Sequence, residues 1–167
     1  MISLQVSKFW QSRKFCVPML GAAAFALAVS GGMARADSFD HLKGNWAGSG
    51  NITLANGEKE RIRCRATYVP AGANVKITLR CASDSYKFEL ASDITSDGGK
   101  LSGTWSEATR AVAGGITGTA TASTIQATAM SPLFSANLNV RTSGGNQTVS
   151  ITSPGSEIQN VTIALKR

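Results

Sequence analysis

The sequence predicts an all-β protein: a single antiparallel up-and-down β-barrel of about 8–10 strands that follows a cleaved N-terminal signal peptide. Three observations predict it. Short runs of alternating apolar and polar residues recur along most of the chain, which is the pattern of strands buried on one face. Clusters of Gly, Asn, Pro and Ser separate these runs at the spacing of hairpin turns. Stripes with helical period are absent after residue 36.

The first 36 residues stand apart. Lys8, Arg13 and Lys14 form a positive leader, an apolar run covers 17–29, and Ala34-Arg35-Ala36 places small residues around a cleavage point before Asp37. That three-part order is the signature of a secretory signal peptide. The apolar run falls short of the roughly 20 residues a membrane-spanning helix needs. The expected organisation is a signal peptide over 1–36 and one all-β domain over 37–167, located in the periplasm or secreted. The leader carries four of the 17 basic residues and no acid, so cleavage lowers the net charge from +7 to +3. The high whole-chain charge therefore gives no argument for a nucleic-acid partner. Cleavage also removes Cys16 and leaves Cys64 and Cys81, an even number suited to an oxidising compartment.

Taken in order, residues 46–54 read as a first strand closed by Asn56-Gly57, a dipeptide that accepts the positive φ of tight hairpins. Residues 59–68 are the clearest strand: Ile62, Cys64, Ala66 and Tyr68 share one face, while Arg61, Arg63 and Arg65 share the other. Pro70-Ala71-Gly72 reads as the next turn. Val75, Ile77, Leu79 and Cys81 mark a third strand, and Tyr86, Phe88 and Leu90 a fourth. Asp97-Gly98-Gly99 turns the chain into 101–105. Residues 116–121 and 124–129 make two strands poor in large side chains, with Ala113-Gly114-Gly115 open to reading as strand or loop. Ser131-Pro132 interrupts the pattern, and Ala136, Leu138 and Val140 resume it. Turns at 143–146 and 153–155 then frame strands around Val149 and Ile151 and around Val161, Ile163 and Leu165. A meander of this length closes on itself or folds over, because open edges invite aggregation. The barrel is the leading architecture, and a two-sheet sandwich is the alternative. An outer-membrane barrel ranks third, because aromatics form only 7% of the chain and such barrels need aromatic girdles. The processed chain is therefore not expected to be an integral membrane protein.

Folding the second and third strands about the turn near Gly72 sets Cys64 opposite Cys81, Ala66 opposite Leu79 and Tyr68 opposite Ile77. The expected consequence is a disulfide that staples the two strands. On the outer face the same register puts Arg65 opposite Arg80. With Arg61, Arg63, Lys76 and Lys87 nearby, it marks out a candidate anion-binding face, in competition with a plainly solvated exterior. Trp46, Tyr68, Tyr86, Phe88 and Trp105 are candidate cavity-lining residues if the barrel is hollow.

The catalytic inventory is thin. His41 is the single histidine, too few for a multi-histidine metal site, and it lies near the processed N-terminus. The sequence contains no nucleophile elbow and no phosphate loop. Glu58 and Glu60 share a strand face, but no other acid converges on them. The expectation is a chain without enzymatic activity, cofactor or metal.

Gly44-Asn45-Trp46, at the opening of a meander-like exported chain, resembles the G-x-W that begins the first barrel strand in lipocalins and avidins, the calycin group. The resemblance implies a barrel with an apolar cavity. It also implies that a basic residue near the chain end, Arg167 or Lys166, packs on Trp46. Trp46-Ala47-Gly48-Ser49-Gly50, Cys64-Arg65, Leu79-Arg80-Cys81-Ala82 and Gly103-Thr104-Trp105-Ser106-Glu107 together are similar to small uncharacterised exported proteins of Gram-negative bacteria, a likeness that implies no activity. The expected function is binding of a small apolar, amphipathic or anionic ligand, the partner being an unknown small molecule or envelope component. The alternative is a protein-interaction module, such as a protease inhibitor or envelope-associated factor that acts through an N-terminal arm over 37–43.

Overall fold

A computed structural model describes residues 39–167, and the predicted leader lies outside the described residues. A 3-10 turn over Phe39–Leu42 leads into ten strands. These are β1 (Gly44–Leu54), β2 (Lys59–Ala71), β3 (Asn74–Ala82), β4 (Lys87–Asp97) and β5 (Lys100–Glu107), followed by β6 (Val112–Ala120), β7 (Thr124–Met130), β8 (Ser135–Ser143), β9 (Asn146–Thr152) and β10 (Ile158–Lys166). Every strand pairs antiparallel with its neighbour in sequence, and β1 pairs with β10, from Ala47↔Lys166 to Leu54↔Ile158. The sheet is a closed up-and-down barrel with no free edge, so the sandwich alternative is excluded.

The predicted register holds across β2 and β3, with Cys64↔Cys81, Ala66↔Leu79, Tyr68↔Ile77 and Arg65↔Arg80. Cys64 and Cys81 form the disulfide on the inner face, where both are buried. Two local expectations change and one open reading is settled. Pro70 and Ala71 belong to β2, because the hairpin needs only Gly72 and Ala73 outside the ladder and Gly72 supplies the positive φ of +62°. The 113–115 stretch is strand, part of β6, with Ala113 facing Ser106 and Gly114 facing Trp105. Tyr86 stands just before β4, where its N–H binds Ser83 Oγ and its carbonyl accepts the Ser83 N–H, forming the turn.

Inner-face residues differ along the barrel axis. At one end the β2–β3, β4–β5, β6–β7 and β8–β9 turns gather around the 3-10 turn. There Leu42, Trp46, Val75, Gln147 and Leu165 are all at most 2% exposed. Toward the other end, inward positions such as Ile77, Leu79, Leu90, Tyr86, Phe88, Phe134 and Ile158 are only half-buried. The base is sealed; toward the other end burial is uneven, with Ile52 and Ile62 on β1 and β2 buried while much of the inner face beyond them is half-buried.

Curvature of the wall comes from glycine. On β1, Gly48 and Gly50 face inward, and a Cβ at either would meet the carbonyl oxygen of Ala164 or Thr162 on β10. These two positions bring β1 and β10 together more closely than any side chain allows.

Two outcomes follow. Replacing both cysteines (Cys64→Ala with Cys81→Ala) should lower unfolding free energy by about 3 kcal/mol, the loop-entropy value for a short cross-linked loop, read from denaturant titration. Gly50→Val should cost about 2–3 kcal/mol in the same titration, the range for overpacking a tight site, because the carbonyl it meets is backbone and cannot swing away.

Candidate functional site

The sealed end is built around Trp46. Its indole N–H donates to the Leu42 carbonyl at 2.8 Å, which locks the 3-10 turn across the barrel base. Tyr68 meets Trp46 edge-on with centroids 6.3 Å apart, and its hydroxyl donates to Gln147 Oε1 at 2.7 Å from the opposite wall. Gln147 in turn donates to Thr142 Oγ1. The Arg167 guanidinium stacks over the Trp46 ring at 5.0 Å and donates to the carbonyls of His41 and Lys43. The choice left open between Arg167 and Lys166 thus falls to Arg167, because β10 ends at Lys166 and frees the next residue to fold over the base. Trp46 and Tyr68 therefore sit in the base plug. Residues 39–42 belong to the same plug, with Phe39 and Leu42 buried, so this part of the expected N-terminal arm does not project from the barrel. His41, expected near a loose terminus, lies in the ordered 3-10 turn.

The open end carries a different assembly. Tyr86 and Phe88, two residues apart, lie nearly parallel with centroids 6.3 Å apart. The Arg110 guanidinium covers Phe88 at 4.7 Å, and the Tyr86 hydroxyl donates to Glu157 at 3.0 Å. Trp105, further along the inner wall, donates to the Gly115 carbonyl and leans on Phe134 at 5.8 Å. The five aromatic candidates thus divide: two at the base, Trp105 on the inner wall, and Tyr86 and Phe88 at the mouth.

Glu107 positions the mouth. Its carboxylate, buried at the end of β5, accepts hydrogen bonds from the Glu89 N–H, the Thr109 N–H and hydroxyl, and the Arg110 N–H, and it pairs with the Arg110 guanidinium at 3.8 Å. Burial alone would raise its pKa, but these hydrogen bonds outweigh that and hold it below the ordinary carboxylate range. The loop they fix includes Ala111 in the left-handed region at φ +52°. Glu60 also faces the mouth from β2 and accepts the Ser85 N–H at 2.7 Å, which lowers its pKa. Glu58 stays exposed, tied to Asn56, so the two acids form no catalytic pair.

The sequence reading missed Glu107, Arg110, Phe134 and Gln147. Glu107 and Arg110 fall at a loop whose Ala-Thr-Arg-Ala composition gives no turn signal. Phe134 follows a proline that suggested only a break. Gln147 reads as an ordinary polar strand residue, although its inward phase with Val149 places it inside.

The cationic candidates lie on the outer wall: Arg61, Arg63 and Arg65 on β2, Lys76 and Arg80 on β3, and Lys87 at the start of β4, all exposed. On the opposite wall, a shallow groove of about 500 Å³ is lined by uncharged polar side chains including Thr117, Gln126, Asn137 and Ser150.

No protein-family model and no curated protein matches the sequence. Among solved structures the chain is similar to Rv2717c from M. tuberculosis, with a TM-score of 0.62, 14% identity, and coverage of 77% of this chain and 93% of that one. It is also similar to the S-type phycobiliprotein lyase CPES from Guillardia theta, with a TM-score of 0.53, 9% identity, and coverage of 76% and 86%. These likenesses show a shared barrel fold, which is consistent with the calycin-like resemblance of the G-x-W opening. The expectation of a chain without enzymatic activity is overturned here. A lyase is built on the same barrel, so neither this fold nor a thin catalytic inventory excludes an enzyme.

The base yields a pH prediction. Burial pushes the Tyr68 phenol up to about 12, partly offset by its hydrogen bond to Gln147. Because the folded value exceeds the ordinary one of 10.0, this group's contribution is complete below pH 10 and is lost as pH rises from there toward 12. Tyr68→Phe should flatten the fall in unfolding free energy across that alkaline window, measured by denaturant titration at successive pH values.

Proposed function

We propose that this chain is an exported barrel that holds a small apolar or amphipathic molecule in its lumen, entering at the Tyr86–Phe88 mouth. The observation that carries the reading is the gradient of burial on the inner face. The base is packed shut, while several inward apolar side chains, among them Leu79, Phe88, Leu90 and Ile158, keep part of their surface in contact with solvent. A filled core would bury them all, since apolar surface left in water forgoes about 25 cal/mol per Å². The cross-strand pair Leu79 and Leu90 lines one side of this space. At the rim the Phe88–Arg110 contact and the acids Glu60 and Glu157 offer polar partners for the head of an amphipathic ligand. Export is supported by the leader pattern of residues 1–36 and by the Cys64–Cys81 bridge, which suits an oxidising compartment.

The two similar barrels extend the reading in one direction. CPES is a phycobiliprotein lyase, so a barrel of this kind can present a bound molecule for chemistry, and turnover of the lumenal ligand belongs to the same proposal.

Native mass spectrometry of protein purified from its own host should show a retained small molecule, and a fluorescent fatty-acid probe should report the space. Leu90→Trp fills the lumen with an apolar group and should weaken probe binding by about tenfold or more while near-ultraviolet circular dichroism stays unchanged, a loss of about 1.4 kcal/mol. Undiminished probe binding in that variant would refute a lumenal site.

A further inference from the structure

On the outer wall, β2 presents Arg61, Arg63 and Arg65 in one line, all exposed. At about 3.3 Å per residue, alternate residues stand about 6.6 Å apart, so the three guanidinium groups are carried along about 13 Å of strand. The neighbouring strands sharpen the pattern. On β1 the residues facing these arginines are Asn51, Ser49 and Ala47, none of them acidic. Ala47 pairs in turn with Lys166 of β10. On the other side Arg65 faces Arg80. Ala82 faces Arg63 and pairs with Lys87. Exposed acids stand on β4, where Glu89 faces Arg80 and Asp93 faces Lys76. Among the described residues the one salt bridge is Arg110–Glu107, so none of these strip cations is ion-paired. Arg61 donates only to Ser49 Oγ, at 3.3 Å.

Like charges directly opposed on a ladder are unfavourable, and Arg65–Arg80 keeps two together although the outer face places no packing demand on either residue. Both acids, Glu89 and Asp93, sit on β4, two strands away from the β2 line. The cations form a strip parallel to β2. The wall of a closed barrel curves away on both sides of such a strip. A flat bilayer meets it along a single strand, whereas an extended chain of anionic groups can follow the strip and be straddled by Arg80 and Lys166.

We propose that this strip binds a linear acidic polysaccharide, with its carboxylates seated along Arg61, Arg63 and Arg65. Guanidinium groups match carboxylates with paired, charge-assisted hydrogen bonds. The lumen and the strip occupy opposite faces of the same strands, so the two binding events are separate.

The test uses polygalacturonate as the probe, with isothermal titration calorimetry on the purified chain at low salt. Binding should appear and should weaken as salt is raised, because screening shortens the reach of exposed charges to about 10 Å at 0.1 M. Arg63→Gln with Arg65→Gln should lower affinity by about tenfold or more, while Arg141→Gln, a cation on β8, should leave it within about twofold. The fatty-acid probe should bind the double variant as it binds the parent, which separates this site from the lumen and shows the variant folded. Three results would overturn the proposal: no polygalacturonate binding by the parent chain, equal losses in the Arg63/Arg65 and Arg141 variants, or preferential binding to vesicles of equimolar phosphatidylglycerol and phosphatidylcholine.

Discussion

The pairing of β1 with β10 is the contact on which the other features depend. Nine hairpin pairings are local and form between neighbours in sequence, whereas this one joins the two ends of the chain, from Ala47↔Lys166 to Leu54↔Ile158. Without it the barrel becomes a sheet with two long edges and an exposed apolar face. The pairing is secured at its base. Trp46 near the start of β1 holds the 3-10 turn through Leu42, and Arg167 just beyond β10 covers the Trp46 ring and binds the His41 and Lys43 carbonyls. The start of β1 and the end of β10 are thereby clasped over the same opening they close.

That clasp decides which end of the barrel opens. The large inner-face residues are concentrated unevenly around the ten strands. Here Trp46, Tyr68, Leu42 and Leu165 occupy the base. The inner faces of β6, β7 and β8 carry small residues at Gly114, Gly118, Ala127, Ala129 and Ala136, and at Gly114 and Gly118 the β7 backbone comes too close for any side chain. Polar groups inside the base are mostly satisfied, as in the chain from Tyr68 through Gln147 to Thr142. The mouth is instead held by a loop, with Glu107 collecting hydrogen bonds that set Arg110 over Phe88. Rigidity at one end and loop-borne polar groups at the other are the usual division between scaffold and site.

Much of this was legible because period-two alternation is the strongest signal a strand can give. In β2 the alternation of Ile62, Cys64, Ala66 and Tyr68 with arginines and Thr67 fixed both face and register, and the Cys64–Cys81 pairing followed. Legibility failed where function departs from period two. The 113–115 stretch stayed open between strand and loop because glycine carries no face, yet the curvature of the wall asks for glycine. Closure itself had no local signal, since Gly48 and Gly50 read only as flexible residues until β10 is placed beside them. The base network was hidden in Gln147, whose role depends on Tyr68, 79 positions away in sequence. The mouth was hidden because Arg110 acts through its stack on Phe88, and sequence spacing does not encode a stack between a loop and a strand.

Alternation also assigns two surfaces to one set of strands with little interference. On β2, moving one residue along the chain exchanges the lumen for the exterior: Cys64 faces inward and Arg65 outward. Charge placed on the outside therefore costs the core nothing, and volume changed on the inside leaves the outer pattern intact. The one place where the two surfaces meet is the rim, where Lys87 is a member of the outer strip while its carbonyl anchors Thr109 and Arg110.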